Sequence, residues 1–216
     1  MKIALFGGTF DPIHIGHLRA AKAAARKFEL DRVLFVPAAH PPHKLRDRLT
    51  PFPHRFAMVA LACASDPRFV PSLLEAPTRD ERPQYSITSV RAAKRALGAK
   101  DHLSFLVGVD AFLDLPHWKD YRRLLDLVDF IVVSRPGFDA RQIRSVLPAD
   151  IAGRGSDVYG QRHAIRLRRS TLRILPEVNA PVASLDIREA IRARKPITGL
   201  VPPIVEKYIL KEELYR

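Results

Sequence analysis

The chain has 216 residues, 47% of them hydrophobic, with a single cysteine and a formal net charge of +13. This length suffices for one α/β domain with a full core, and no apolar run is long enough to span a bilayer. One cysteine excludes an internal disulfide, and the chain opens with a strand pattern instead of a signal sequence. We therefore expect one domain over residues 1–216, located in the cytoplasm and without a membrane partner.

Strand-like and helix-like segments alternate along most of the chain. Short apolar runs predict strands at 2–6, 32–36, 69–73, 103–107 and 129–134. Segments rich in helix formers predict helices at 15–28, 53–65, 87–97, 118–127, 185–194 and 203–210, the last two forming a C-terminal helical part over 184–210. This alternation favours a single Rossmann-like, doubly wound parallel sheet with helices on both faces. Phosphate ligands of such sheets bind beyond the carboxyl ends of the strands.

The first strand is followed by GGTFDPIHIGH at residues 7–17, which leads into a helix. A Gly-rich turn in this position directs backbone N–H groups and a helix N-terminus toward an anion, and Gly7 and Gly8 allow close approach of a phosphate. His14 and His17 are three residues apart, so both imidazoles should lie on one side of the first helical turn. The string is neither the dinucleotide fingerprint nor a P-loop. It predicts a phosphate-binding loop.

Positive charge is concentrated in RHAIRLRRSTLR at residues 162–173. Ile165 and Leu167 alternate with arginines there, which predicts a strand with one basic face. Such charge suits either a nucleic acid or small polyanionic substrates near a solvated basic surface. No aromatic residue is interleaved, so we expect no specific nucleic-acid partner. Glycines and prolines without periodicity at 137–160 predict a mobile surface segment, and we treat 137–180 as a variable, basic, partly mobile part of the domain.

The string at 7–17 resembles the His-x-Gly-His signature of the nucleotidyltransferase superfamily. Its longer form is similar to that of the bacterial nicotinate mononucleotide adenylyltransferase family. Further similar segments lie at 36–38, 41–44, 108–110, 115–118, 134–137, 200–202 and 205–209. The resemblance implies adenylyl transfer from ATP to nicotinate mononucleotide, giving nicotinate adenine dinucleotide and pyrophosphate. It implies Mg²⁺ as the cofactor, carried by the ATP phosphates.

Such a reaction needs no general base, because the attacking phosphate oxygen is already ionised at neutral pH. The catalyst must bring anions together in line and neutralise charge that develops at the α-phosphate. His14 and His17, as hydrogen-bond donors, are therefore the predicted catalytic residues. The resemblance implies ATP contacts at Gly7, Gly8, Thr9, Phe10, His14, His17, Asp110, Ser184 and Arg188. It implies nicotinate-nucleotide contacts at Thr9, Lys44, Tyr85, Ser86, Trp118 and Arg135.

Four of these residues also have a simpler interpretation. Trp118, the only tryptophan, either stacks on the cationic pyridinium ring or anchors a helix start in the core. Ser86 supplies a hydroxyl that caps a helix, and the resemblance implies that the same segment holds the nicotinate carboxylate. Asp110 either receives the ribose hydroxyls of ATP or caps the next helix. Lys44 either contacts a phosphate or is a solvated loop residue.

The chain departs from the family near its last motif, which is roughly Ile-Ser-Ser/Ala-Thr-x-Ile-Arg. Here residues 182–188 are VASLDIR. Arg188 is retained and Ser184 keeps one hydroxyl, which can act as an N-cap, but Leu185 replaces the threonine and Ala183 the first serine. One interpretation is that lost hydrogen bonds weaken ATP binding by about 1–2 kcal/mol.

Two further interpretations of the altered motif are open. Arginines of 162–173 hold the pyrophosphate end of ATP, or the chain is a paralogue with altered activity. The alternative functions are a sister transferase for phosphopantetheine or a cytidylyl acceptor, and a nucleotide-binding regulator without catalysis. The sequence leaves the base specificity, the choice between nicotinate and nicotinamide, and the oligomeric state open.

Overall fold

The computed structural model describes residues 1–41, 49–78, 83–134, 141–152, 157–158, 164–176, 178 and 181–216. Its strands are β1 (Lys2–Gly8), β2 (Arg32–Pro37), β3 (Phe69–Pro71), β4 (His102–Gly108), β5 (Asp129–Val133), β6 (Asp157–Val158), β7 (Ala164–Arg166) and β8 (Thr171–Leu175). Its helices are α1 (Ile15–Lys27), α2 (Phe52–Cys63), α3 (Ser86–Ala96), α4 (Val109–Leu113), α5 (Tyr121–Leu127), α6 (Arg141–Ser145), α7 (Ala149–Ala152), α8 (Ser184–Arg192) and α9 (Pro203–Lys211). A short 3-10 helix covers Leu115–His117.

Among the described residues, all strands join one sheet in the order β3-β2-β1-β4-β5-β8-β7-β6. The first six in that order pair in parallel, and β7 and β6 are added antiparallel at one end. The chain proceeds outward from β1 to β3, returns to β4 beside β1, and proceeds outward on the other side. The order therefore reverses between β1 and β4, where the crevice for a ligand is expected. The predicted doubly wound α/β fold is confirmed.

Two buried layers of side chains cover the sheet. On one face the small residues Ala20, Ala21 and Ala24 of α1 pack beside Met58 and Val205, which lets α1 approach the sheet closely. The opposite face is covered by α3, α4 and α5 together with α6 and α7. Because both faces are covered, the central strands are apolar without alternation, as in β1, where residues 3–6 are all buried.

Cys63 lies on the buried side of α2, as the sequence predicts, and is 4% exposed. Burial raises the pKa of its thiol to about 12. The thiol is therefore not a nucleophile at neutral pH. No helix in the described part of the chain has both the length and the apolar character needed to cross a bilayer.

Three of the predicted elements need correction. The predicted helix at 118–127 begins only at Tyr121, because Asp120 adopts a left-handed backbone with φ 54°. The predicted strand at 162–173 is a hairpin, in which the amide of Leu167 donates to the carbonyl of Ser170 between β7 and β8. The third strand ends at Pro71 instead of residue 73, and α4 is an additional helix.

The predicted surface placement of the segment 137–160 is wrong for residues 141–152. Residues 141–152 form α6 and α7, with Ile143 and Ile151 buried in the core at 0% and 1% exposure. Short helices of this kind present too few turns for a clear periodic pattern in the sequence. Residues 135–140, 153–156 and 159–163 lie outside the described residues.

Candidate active site

A cleft of about 520 Å³ opens at the carboxyl ends of β1, β2 and β4. Six of the predicted site residues line it, from three separate parts of the chain. They are Gly7, Gly8, Thr9, Tyr85, Ser86 and Trp118. Other lining residues are Ala38, Pro41, Glu75, Gln84, Phe105, Val107, Ala111, Asp114, His117 and Lys119. The cleft lies at the reversal of strand order, where the sheet topology predicts a ligand site.

His14 and His17 form a stacked pair at the start of α1. Their ring centroids are 3.7 Å apart and their planes differ by 27°, so both imidazoles lie on one side of the first turn. The backbone N–H of His14 donates to Nδ1 of His17 at 3.3 Å. Because Nδ1 is an acceptor, a neutral His17 ring carries its proton on Nε2. That nitrogen can donate a hydrogen bond to a phosphate oxygen.

Gly8 and Phe10 shape the turn that precedes the histidines. A Cβ atom added at Gly8 would lie 3.0 Å from the Phe10 ring, so any larger residue here would have to displace that buried ring. Phe10 has φ 49° and is 2% exposed. Its ring contacts Phe35 and the edge of His17. Only the backbone of Phe10 is therefore accessible to a nucleotide. The Phe10 ring packs under the turn and supports its conformation.

Arg55 of α2 is a buried hub that the sequence interpretation missed. Its guanidinium is 1% exposed and donates to the carbonyl oxygens of Thr9 at 2.8 Å, Ala38 at 2.7 Å and Ala39 at 3.4 Å. Its Nε donates to the carbonyl of Thr50 at 2.8 Å. Burial lowers the pKa of Arg55, and the nearby charge of Asp11 opposes that shift. Arg55 thus connects the loop after β1 with the loop after β2, and these two loops form two walls of the cleft. In the sequence, the feature that could have indicated this role is an arginine inside an otherwise apolar helix.

Residues 9–14, here called the phosphate loop, also contact the N-terminal end of α8. The hydroxyl of Ser184 donates to the carbonyl of Pro12 at 2.9 Å, and Arg188 Nη1 donates to the carbonyl of Asp11 at 2.7 Å. The N-cap of α8 is Ala183, so the prediction that Ser184 is the N-cap is wrong. Leu185 is 50% exposed and does not pack into the core.

The cleft's other wall carries Tyr85, Ser86 and Trp118. Ser86 is the first residue of α3, the N-cap is Tyr85, and no side chain caps the helix. The predicted capping role of Ser86 is therefore wrong, and its side chain lines the cleft instead. Trp118 packs edge-on against Phe105, with centroids 6.0 Å apart, and lines the cleft as well. The Lys119 ammonium lies 4.5 Å from the Tyr85 ring centroid.

A buried carboxyl group, Glu75, lies in the same cleft and was also missed. It accepts a hydrogen bond from the hydroxyl of Ser89. Burial raises its pKa, and the Ser89 bond lowers it to a smaller extent. The adjacent Gln84 donates from Nε2 to the carbonyl of Ala76 at 2.9 Å. These contacts connect β3 to the start of α3 and support Tyr85 and Ser86.

The remaining predicted residues differ in how far the structure describes them. Asp110 lies in the first turn of α4, whose N-cap is Gly108, so Asp110 does not cap that helix. Lys44 and Arg135 lie outside the described residues. Within the part of the chain that is described, no group of three or more His, Cys, Asp or Glu side chains is arranged to hold a metal ion.

The described arginines of the basic stretch lie far from the phosphate loop. Arg168 is paired with Asp126 and Asp150, and Arg173 is paired with Asp129. Arg168 precedes β8, and Arg173 lies within β8 but pairs with Asp129, the first residue of the parallel strand β5. Both guanidinium groups therefore lie toward the amino ends of the parallel strands. The interpretation that these arginines hold the pyrophosphate end of ATP is therefore wrong for the described residues.

The Cytidylyltransferase-like family model matches residues 5–190. The chain therefore belongs to the cytidylyltransferase-like family. A protein of Solibacter usitatus is 39% identical over 215 residues, with 100% of both chains covered. A Desulfotalea psychrophila protein is 38% identical over 216 residues, covering 99% of each. Both carry the name "Probable nicotinate-nucleotide adenylyltransferase". Within its family the chain groups with the nicotinate-nucleotide adenylyltransferases.

Solved structures support the same fold at lower sequence identity. Two are of the nicotinic acid mononucleotide adenylyltransferase of Plasmodium falciparum, complexed with APC and with NaAD. Their TM-scores are 0.72 and 0.74 at 18% identity, and the alignments cover 99% of this chain and 96% and 97% of theirs. At this identity the likeness shows the fold alone.

Proposed function

We propose that the protein transfers the adenylyl group of ATP to nicotinate mononucleotide, forming nicotinate adenine dinucleotide and pyrophosphate. The observation that carries the proposal is the stacked His14–His17 pair at the N-terminus of α1, beside a cleft lined by Trp118 and Tyr85. The relatives at 38% and 39% identity bear the name of this activity over the full length of the chain.

In this proposal the protein acts by positioning anions and neutralising their charge. A phosphate oxygen of the mononucleotide attacks the α-phosphorus of ATP, the bond to the pyrophosphate oxygen breaks, and pyrophosphate leaves. His17 Nε2–H, His14 and the positive end of the α1 dipole stabilise the charge that develops on the α-phosphate. Gly7, Gly8 and Thr9 bring backbone close to the same oxygens.

The two substrates occupy opposite sides of the His14–His17 pair. The nicotinate ring is assigned to the Tyr85, Ser86 and Trp118 wall, because an indole face attracts a cationic pyridinium ring. The ATP side comprises the phosphate loop with Ser184, Arg188 and Asp110. Lys44 and Arg135 are assigned to the mononucleotide from the resemblance alone.

Mg²⁺ is assigned to the triphosphate and enters the reaction with ATP. The described residues contain no cluster of three or more His, Cys, Asp or Glu side chains for a metal ion, which suits an ion that arrives already bound by phosphate oxygens and water. The proposal also includes one domain over residues 1–216 and a cytoplasmic location, where ATP is available.

The test is a product assay with purified protein, ATP and Mg²⁺. Nicotinate mononucleotide should give nicotinate adenine dinucleotide and an equal amount of pyrophosphate. Nicotinamide mononucleotide and phosphopantetheine serve as comparison acceptors, and CTP as a comparison donor. A faster reaction with phosphopantetheine would favour the sister-transferase alternative, and no product with either pyridine mononucleotide would contradict the proposal.

A further inference from the structure

The phosphate loop is held in shape by distant parts of the chain. Pairing of β1 with β2 ends at Gly8, opposite Pro37, so residues 9–14 continue beyond the sheet. Three of the loop's carbonyl oxygens, those of Thr9, Asp11 and Pro12, accept hydrogen bonds from side chains of α2 and α8. The conformation that presents His14 therefore depends on tertiary contacts.

The carboxylate of Asp11 is the most deeply buried charge in the phosphate loop, with 2% exposure. Its Oδ1 accepts from the Tyr215 hydroxyl at 2.7 Å, and its Oδ2 accepts from the backbone N–H of Thr50 at 3.3 Å. Tyr215 is 204 residues away in sequence. Burial, and then the Asp11 charge, raises the pKa of Tyr215, so its hydroxyl stays protonated and remains the donor.

We infer that Tyr215 is a positioning residue for the adenylyl transfer, acting through Asp11 on the loop that carries His14. The inference rests on the proposed function. Asp11 is three residues before His14, and a buried carboxylate that loses a hydrogen-bond donor must find a replacement. The backbone then shifts to let water reach it, which moves His14 relative to the α-phosphate. A shift of about 1 Å can reduce a rate by as much as about 10²-fold without removing a substrate contact.

Tyr215→Phe tests the inference, since it removes only the hydroxyl. We expect kcat to fall by roughly tenfold or more, with the KM for each substrate within about twofold of wild type. Tyr208→Phe is the matched control. The Tyr208 hydroxyl contacts His54 Nδ1 at 2.9 Å, in α2 and not in the phosphate loop, so this variant should keep wild-type kcat while losing a comparable tyrosine hydrogen bond.

A double-mutant comparison shows whether Tyr215 acts through Asp11. In an Asp11→Ala background, Tyr215→Phe should cause no further loss of kcat. An unchanged kcat in Tyr215→Phe, with a lower melting temperature only, would overturn the inference and make Tyr215 purely structural. A full further loss in the Asp11→Ala background would overturn it too. A wild-type protein that forms no dinucleotide would instead contradict the proposed function.

Discussion

At the scale of single residues, the hydrogen bonds made within the fold determine which atoms of the site remain available to a ligand. His17 Nδ1 accepts a backbone hydrogen bond from His14, which leaves the proton of a neutral ring on Nε2. Preorganised donors of this kind stabilise developing charge without reorganising during the reaction. The ring is also in edge contact with Phe6 and Phe10, which limits its rotation. The catalytic assignment thus depends on the orientation of the ring as well as on its identity.

His17→Ala should lower kcat by about 10²–10³-fold and change the KM for ATP much less, because the lost donor acts mainly in the transition state. His14→Ala should have a similar or milder effect. Steady-state kinetics of both variants provide the measurement. His102→Ala is the control, since His102 is exposed at the start of β4, at the opposite edge of the sheet. If both active-site variants kept wild-type kcat, the histidines would be structural caps.

At the scale of elements, two helices from opposite ends of the chain meet at the phosphate loop. Helix α1 begins directly after the loop, and α8 contacts it through Ser184 and Arg188, which lie 172 and 177 residues from their partners in sequence. Ile187 holds α8 in the core with 0% exposure, while Leu185, two residues earlier and on another side of the helix, is half exposed. The altered late motif therefore retains its structural connection to the loop.

Arg188→Ala should raise the KM for ATP roughly 10- to 150-fold, because a lost charged hydrogen bond costs about 1.5–3 kcal/mol. Leu185→Thr should leave the melting temperature nearly unchanged, because Leu185 is 50% exposed and the new hydroxyl stays in water. If the side chain faces the triphosphate, as the resemblance implies, the same variant should lower the KM for ATP modestly. An unchanged KM in Arg188→Ala would show that the late motif does not bind nucleotide in this protein.

At the scale of the whole molecule, the sheet is covered on both faces, and five of the buried polar groups among the described residues lie around the cleft and the phosphate loop. Asp11, His14, Arg55, Glu75 and Ser89 are all at most 9% exposed. Burial raises the pKa of Glu75, so the ionised form of this carboxyl group is destabilised by folding. Burying Glu75 in the cleft therefore lowers the free energy of unfolding by an amount that depends on pH.

Glu75→Gln should raise the melting temperature at neutral pH by a few degrees, since 1 kcal/mol corresponds to about 2–4 °C at this chain length. Glutamine keeps an acceptor for Ser89 but removes the charge. The folded-state pKa of Glu75 lies above the ordinary value of 4.5, so the folded state holds the proton more tightly than the unfolded state. Wild-type stability relative to the variant should then decrease as pH rises above about 4.5. The measurement is the melting temperature of both proteins from pH 4.5 to 8. A constant difference in melting temperature across that range would show that the ionisation of buried Glu75 is not the cause.

The sequence by itself determined the features that local pattern encodes. Apolar runs separated by helix-forming segments specified the parallel sheet, because strands covered on both faces need continuous apolar residues. The glycines and histidines of residues 7–17 specified a phosphate-binding loop, because strand, turn and helix are consecutive there. The family followed from the same string.

The tertiary structure decided everything that depends on residues far apart in sequence. Packing brings Arg55 and Tyr215 to the phosphate loop and Glu75 to the cleft. Only Arg55 has a local signal, an arginine inside an apolar helix, and that signal does not say which groups it contacts. From the sequence, the arginines of the β7–β8 hairpin were candidates for contact with ATP, but strand direction places Arg168 and Arg173 toward the opposite edge of the sheet, each with a carboxylate partner. The tertiary structure also showed that Leu185 is exposed and not part of the core. Periodicity reports which face of an element is buried, whereas only the packed chain determines which buried groups meet.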